Sequence, residues 1–242
     1  MNDHIQEPYI YQRLRTRGVE PLYLARSIER LEGWSERIYG DRIDLDEGSV
    51  TDQIRESLLD EHLSMSGTHA VEVRLYPAGN IEVRPLDNIY LEPFPLRAIR
   101  PTTTVKHLAG DMLLAPTSAK EALLDICRIG KGLPSQNIPM WLNPHNEIIA
   151  IDGAAVVAVT DDEILLSQAG NDIEFELAEA ALAKTRHKIR RAAISYDDID
   201  LFKEIVYIDY RGVTALESIG GRPLGNIVAE RIAKEVQKLE NF

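Results

Sequence analysis

The sequence predicts an α/β chain, α+β in the arrangement of its parts, built as two units. Three features carry that expectation. Apolar residues fill 44% of 242 positions, enough to bury a sizeable core as one domain or as two modest ones. Strand-like alternation and helix-like spacing of apolar residues take turns along the chain. The stretch Arg97 to Thr104, with Pro101 ahead of three threonines, favours extended chain. It marks a linker (97–104) between a smaller first unit (1–96) and a larger second one (105–242).

In the first unit, Pro8 to Thr16 alternates as a strand and Arg17-Gly18 turns it. Glu20-Pro21 opens a helix to Tyr39, with Leu24, Ile28, Leu31 and Ile38 at helical spacing and Gly40 as its stop. Val50, Ile54 and Leu58, four residues apart, predict a second helix over about 50–63. Val71, Val73 and Leu75 alternate with charged residues, Pro77 to Asn80 turns, and Ile81 to Val83 returns, which reads as a hairpin. A further strand is expected over Ile89 to Pro95.

In the second unit, a helix runs from Ser118 to about Gly130, N-capped by Thr117 or Ser118. Strands are expected at Pro139 to Leu142, at Ile148 to Val159 with an interruption at Asp152-Gly153, and at Ile164 to Leu166. Asp172 caps a helix reaching about Arg191, and the acidic run Asp197 to Asp200 leads into a closing strand-loop-strand and a terminal helix.

Charge and composition exclude some classes. A formal charge of −12 argues against nucleic acid or an anionic membrane surface as partner. No apolar run approaches a membrane span, and the N-terminus lacks an apolar signal segment, so a cytoplasmic protein is expected. One cysteine, Cys127, makes no internal disulfide and reads as a small core residue on a helix face. The six histidines lack ligand spacing, so no metal site is expected.

The most informative stretch is Ile205 to Gly225. A short apolar strand enters a loop closed by Gly212, a second strand follows, and Gly220-Gly221 and Pro223 precede the last helix. Arg211-Gly212-Val213 and Gly221-Arg222-Pro223-Leu224-Gly225 resemble the closing motifs of fold-type IV pyridoxal-phosphate enzymes: branched-chain aminotransferases, D-amino-acid aminotransferases and aminodeoxychorismate lyases. The resemblance covers essentially the whole chain. It implies a small N-terminal α/β domain, a larger C-terminal pseudo-barrel domain, pyridoxal 5'-phosphate in the cleft between them, a homodimer, and an amino acid or amino-chorismate-type substrate.

The resemblance also assigns roles. Ser27-Ile-Glu-Arg30-Leu31 matches a family motif whose arginine binds the cofactor phosphate, with serine here in place of its histidine. Asp152 would face the pyridine nitrogen and keep it protonated, unless Asp152-Gly153 is simply a turn within the strand. The backbone amides of Gly212 and Val213 would hold the phosphate. For the Schiff-base lysine two candidates stand, Lys120 and Lys106, the latter in Val105-Lys-His-Leu108, which looks like lyase versions of the motif.

The chain departs from the family at the phosphate. Gly170-Asn171-Asp172 replaces a family turn, and Asp209 stands where the family has threonine. Two unit charges about 4 Å apart at an effective dielectric near 20 repel by roughly 4 kcal/mol. Two such carboxylates against a dianion would cancel about 8 kcal/mol, a micromolar affinity. Asp209 escapes this if it pairs with Arg211, and Asp172 if it serves only as a cap. Two readings follow: a divergent aminotransferase or aminodeoxychorismate lyase-like enzyme with a degenerate cofactor site, or a non-catalytic homologue that has lost the cofactor and binds a ligand or partner.

Overall fold

The fold was analysed in a computed structural model. The structure describes residues 7–61, 63, 67–86, 96–99, 102–107, 115–129, 137–167, 172–185 and 187–240. The strand expected at Ile89 to Pro95 and the Cys127 side chain lie outside what is described. The chain divides into two compact units: residues 1–91 with 115–122, and residues 92–114 with 123–242.

The first unit is a sheet with helices on one face. Strand β1 (Ile10–Arg17) pairs antiparallel with β2 (Glu20–Pro21) and with β3 (Thr68–Leu75), and β3 pairs with β4 (Ile81–Pro85). Helices α1 (Leu24–Tyr39) and α2 (Glu47–Asp60) supply the other layer. Ile10 and Leu14 of β1 and Val71, Val73 and Leu75 of β3 pack in one core with Leu24, Ile28, Leu31, Val50, Ile54 and Leu58. Alternation in the strands and three-to-four spacing in the helices thus meet at one interface.

Helix α1 begins later than expected. Residues 20–21 fold back on β1, with Thr16 opposite Pro21 and Arg17 opposite Glu20, around Gly18 at φ 55°. Pro21 lacks an amide proton and suits such an edge. The helix starts only after Tyr23, at φ 56°, and stops at Gly40, whose left-handed φ of 89° lets its amide reach the Glu36 carbonyl. Helix α2 starts three residues before Val50 because the Asp46 carboxylate accepts from the Ser49 amide at 2.8 Å.

The opposite face of this sheet is a ladder of charge. Tyr11 stands across from Arg74 and Arg74 from Glu82; Arg13 stands across from Glu72 and Glu72 from Arg84. Opposite charges on neighbouring strands support the pairing. Residues 115–122 cover part of this face: the Tyr11 amide donates to the Pro116 carbonyl at 2.8 Å, and Glu121 accepts from the Tyr11 hydroxyl and from Arg13.

The second unit carries β5 (Leu96–Ile99), β6 (Thr102–His107), most of α3 (Ser118–Ile129), β7 (Asn137–Leu142), β8 (Ile148–Ile151), β9 (Ala155–Val159) and β10 (Glu163–Leu166). It continues with α4 (Ile173–Leu182), β11 (Lys188–Arg191), a 3-10 turn (Tyr196–Leu201), β12 (Glu204–Asp209), β13 (Gly212–Leu216), β14 (Ser218–Ile219), β15 (Arg222–Pro223) and α5 (Ile227–Glu240). Six strands form one sheet in the order β11-β10-β9-β12-β13-β5, and β6, β7 and β8 form another. Every residue of β9, β12 and β13 is buried, which is why these segments read as continuous apolar runs.

Helix α4 ends at Leu182, nine residues short of the expected Arg191, and Asp172 makes no side-chain capping bond. Residues 188–191 instead form the edge strand parallel to β10. Extended chain sets Lys188 and Arg190 on one side, where both reach Glu163, at 3.1 and 2.7 Å. Charge on an exposed edge strand also deters further pairing.

Helix α5 is fixed by Glu204, a carboxylate 4% exposed that accepts from the amides of Val228 at 2.9 Å and Ala229 at 3.1 Å. It does the work of an N-cap from another strand. Replacing Glu204 with alanine leaves those amides buried and unpaired, and should lower stability by about 1–3 kcal/mol in urea denaturation.

Acid should loosen the first unit through Glu121. Burial alone would raise this carboxyl, but Arg13 and the Tyr11 hydroxyl outweigh it and hold its pKa below the ordinary value. A depressed folded-state pKa contributes stability that is complete above the unfolded value, about 4.3, and lost as pH falls through the folded one. Urea midpoints measured from about pH 6 to pH 2 should therefore fall less steeply in Glu121→Gln than in the wild type.

Candidate functional site

The candidate site lies in the second unit, where two tight turns meet. Asp152 and Gly153 have φ of 51° and 76°, and Ile151 and Ala154 exchange backbone bonds of 3.0 and 2.9 Å across them. Two successive residues at positive φ make the tight hairpin turn that Asp-Gly favours. So Asp152-Gly153 is a turn between β8 and β9. The Asp152 amide donates to the Pro139 carbonyl at 2.9 Å, so the turn is held against β7.

The second turn is Tyr210-Arg211, closing β12 and β13, with Asp209 opposite Gly212. Gly212 has φ 122°, a conformation that side chains disfavour. Asp209 receives the Arg211 amide at 2.8 Å and the Arg211 Nε at 2.9 Å, and Arg211 Nη2 bonds both Asp209 Oδ2 and Asp152 Oδ2, the latter at 2.8 Å. All three side chains are largely buried, Asp209 at 7% and Asp152 at 8% exposure. Burial disfavours the guanidinium charge, but Asp209 and Asp152 outweigh it and hold the Arg211 pKa well above the ordinary arginine value.

The other sequence candidates are placed as follows. Gly212 begins β13, and Val213 sits within the sheet, opposite Ile208 on one side and Leu96 on the other. Lys106 lies on β6 opposite Trp141 of β7, and Thr104, two residues earlier, lies opposite Pro139, whose carbonyl receives the Asp152 amide. The backbone thus places Lys106 on β6 and Asp152 in the turn that follows β8 of the same three-stranded sheet; the Lys106 side chain lies outside what is described. Lys120 and Arg30 belong to the first unit. Lys120 is in the first turn of α3, its amide on Thr117 Oγ1 at 3.3 Å and its charge one of those lowering Glu121. Arg30 is half-buried on α1.

Among the described residues of the second unit, three buried side-chain atoms lack a hydrogen-bond partner: Arg222 Nε, which faces Asp200 at 3.6 Å, and Trp141 Nε1 and Thr214 Oγ1, which belong to residues with no ion partner. Sequence reasoning missed Trp141 and Thr214, and missed the reach of Arg211 to Asp152 across 59 positions of chain. The short-range half of that bridge, Asp209 to Arg211, was visible as opposite charges two residues apart. Arg222 of the Gly-Arg-Pro-Leu-Gly motif is structural here: it donates to the carbonyls of Phe202 and Ile199, tying the 3-10 turn to the β14–β15 hairpin. Gly170 and Asn171 lie outside the described residues. Among the described residues no group of three His, Cys, Asp or Glu is placed to hold a metal ion, and no helix is long and apolar enough to cross a membrane.

No family model matches this chain, and no curated protein matches it. Solved structures do. A putative branched-chain amino acid aminotransferase from Thermotoga maritima superposes with a TM-score of 0.74 at 13% identity, over 97% of this chain and 87% of that one. A putative 4-amino-4-deoxychorismate lyase from Legionella pneumophila gives 0.70 at 12% identity, over 96% and 90%. The pyridoxal-phosphate-bound form of a hypothetical aminotransferase from Mycobacterium tuberculosis gives 0.68 at 15% identity, over 94% and 87%. The chain therefore has the class IV aminotransferase-like fold that its closing motifs suggested.

The bridge yields a sharp stability test. Arg211→Met strands two buried carboxylates, and removal of one partner from a buried ionic group costs about 3–5 kcal/mol. Adding Asp152→Asn and Asp209→Asn to that variant should recover part of the loss in urea denaturation, because no uncompensated charge then remains buried.

Proposed function

We propose that this chain is a divergent relative of the class IV aminotransferases and aminodeoxychorismate lyases whose pyridoxal 5'-phosphate site is degenerate, and that it works without covalent cofactor chemistry, as a binding or partner protein. One observation carries this reading: a single Arg211 nitrogen bonds both Asp152 and Asp209. By resemblance, Asp152 belongs at the ring nitrogen of the cofactor and position 209 at its phosphate. Two carboxylate oxygens sharing one donor lie within about 6 Å of each other, two hydrogen-bond lengths. The guanidinium occupies the space between them. Among the described residues, two carboxylates and one guanidinium give this cluster a charge of −1, the wrong sign for a dianion. The residues present therefore do not fit the cofactor in the family's pose.

The enzyme reading keeps one supporting observation: Lys106 lies on β6, and the turn holding Asp152 is bonded to β7, the next strand of that sheet. Lys120, inside the first turn of α3 beside Glu121, has less to recommend it. On either reading we expect a homodimer that takes a small molecule, as the resemblance implies, in the cytoplasm and away from nucleic acid and membrane.

The test is direct. Full-length protein mixed with pyridoxal phosphate should show no internal-aldimine absorbance band, and borohydride followed by peptide mapping should show no pyridoxyl-lysine. A pyridoxyl adduct on Lys106 or Lys120 overturns the proposal and assigns the lysine at the same time.

A further inference from the structure

A cavity elsewhere in the larger unit has the charge that the Asp152–Arg211–Asp209 cluster lacks. Its volume is about 530 Å³, and Ala181, Lys184, Thr185, His187, Arg231 and Glu235 line it. Pockets of roughly 300–1,000 Å³ suit small organic ligands. It lies where the chain leaving α4 passes α5, two helices that pack on each other. Residues 184–191 of the sequence, Lys-Thr-Arg-His-Lys-Ile-Arg-Arg, form a basic island in a chain of net charge −12.

The cations of that island divide by what they touch. Lys188 and Arg190 are taken up by Glu163, and Arg191 by Glu179. Lys184 and His187 of the island, and Arg231 of α5, form no salt bridge among the described residues, and they line the cavity. Its one acid, Glu235, is engaged by Lys238. That hydrogen bond, with the fields of Lys238, Lys184 and Arg231, holds the Glu235 pKa below the ordinary value, so Lys184 and Arg231 act on the same space and share one acid that Lys238 already engages. A lysine after the last turn of α4 is favourable for the helix dipole alone. Arg231, in the interior of α5, stands one turn before Glu235 and brings the second positive charge to the cavity from another segment.

We infer that this cavity is a binding site for the phosphate group of a small phosphorylated molecule. Arg231 supplies a planar set of donors, Lys184 a point charge, and the Thr185 hydroxyl and His187 imidazole further donors, from separate segments of chain, as a tetrahedral oxyanion requires. The cavity exceeds what one phosphate fills, which leaves room for an organic body. A net acidic surface repels anions at a distance, so binding relies on these local donors and weakens with salt.

This inference is independent of the cradle reading. Calorimetric titration of the full chain at low salt with inorganic phosphate, and with a hexose phosphate beside the unphosphorylated hexose, tests it. Saturable binding of both phosphates and not of the bare sugar is expected, weakened about tenfold or more in Lys184→Gln/Arg231→Gln. Both substitutions are at exposed positions, and an unchanged urea midpoint checks the fold. Absent saturable binding, or equal affinity in wild type and double variant, overturns the site.

Discussion

A buried cation must be neutralised where it stands, and in this molecule Arg211 meets that requirement twice. Its two partners come from different turns: Asp209 from the β12–β13 hairpin that holds Arg211 itself, and Asp152 from the turn between β8 and β9. Strands β9 and β12 are neighbours in the sheet, with Ile208 opposite Ala155, so the ends that the bridge joins are already close. The bridge therefore sets the spacing of two loops rather than creating it. Either carboxylate without the guanidinium is an unpaired buried charge, and the guanidinium without them is the same.

The same solution recurs at other carboxylates that this acidic chain buries. Glu204 is consumed by the first amides of α5, Glu72 by Arg13 and Arg74, and Glu32 by Arg42 and the Leu45 amide. Each engages a donor that the fold itself supplies. Thirty-nine acidic residues against 27 basic ones leave a large negative excess, and these interior acids are held by local structure instead of being left to attract a ligand. Asp152 and Asp209 are treated the same way, both held by Arg211.

Much of the fold was legible because its signals are local. Leu24, Ile28 and Leu31 at helical spacing, Gly40 after them, and the Pro77 to Asn80 turn between alternating strands all act over fewer than a dozen residues, and the structure keeps each. The failures were decided at longer range. Residues 188–191 have no alternation to announce a strand; Glu163, a residue of β10, makes them one. Pro21 suits the start of a helix and equally an edge strand, and the pairing with Thr16 chose the second. At the site, Arg211 and Asp209 are two residues apart and could be paired on paper, whereas Asp152 enters only through the register of two sheets. Trp141 and Thr214 carried no signal at all, since a missing hydrogen-bond partner is a property of the folded state.

What a fold of this kind can do depends on which polar groups its interior leaves uncommitted, more than on which residues a motif retains. Gly212, Val213 and the Gly221 to Gly225 turn keep their places, yet Gly212 and Val213 are paired into the sheet and Arg222 holds backbone carbonyls. These are the parts that shape the strand-loop-strand, and shape survives when the chemistry beside it changes. The charge distribution is more exacting, because an ion pair completed inside the protein has little attraction left for a ligand of either sign. At the candidate cradle every charge on Arg211 is answered by a neighbour in the same chain. Beside α5, Lys184 and Arg231 share a single acid, Glu235, that Lys238 already engages, and it is this contrast in spent and unspent charge, within one unit of one fold, that separates a structural cluster from a place where an outside molecule has something to gain.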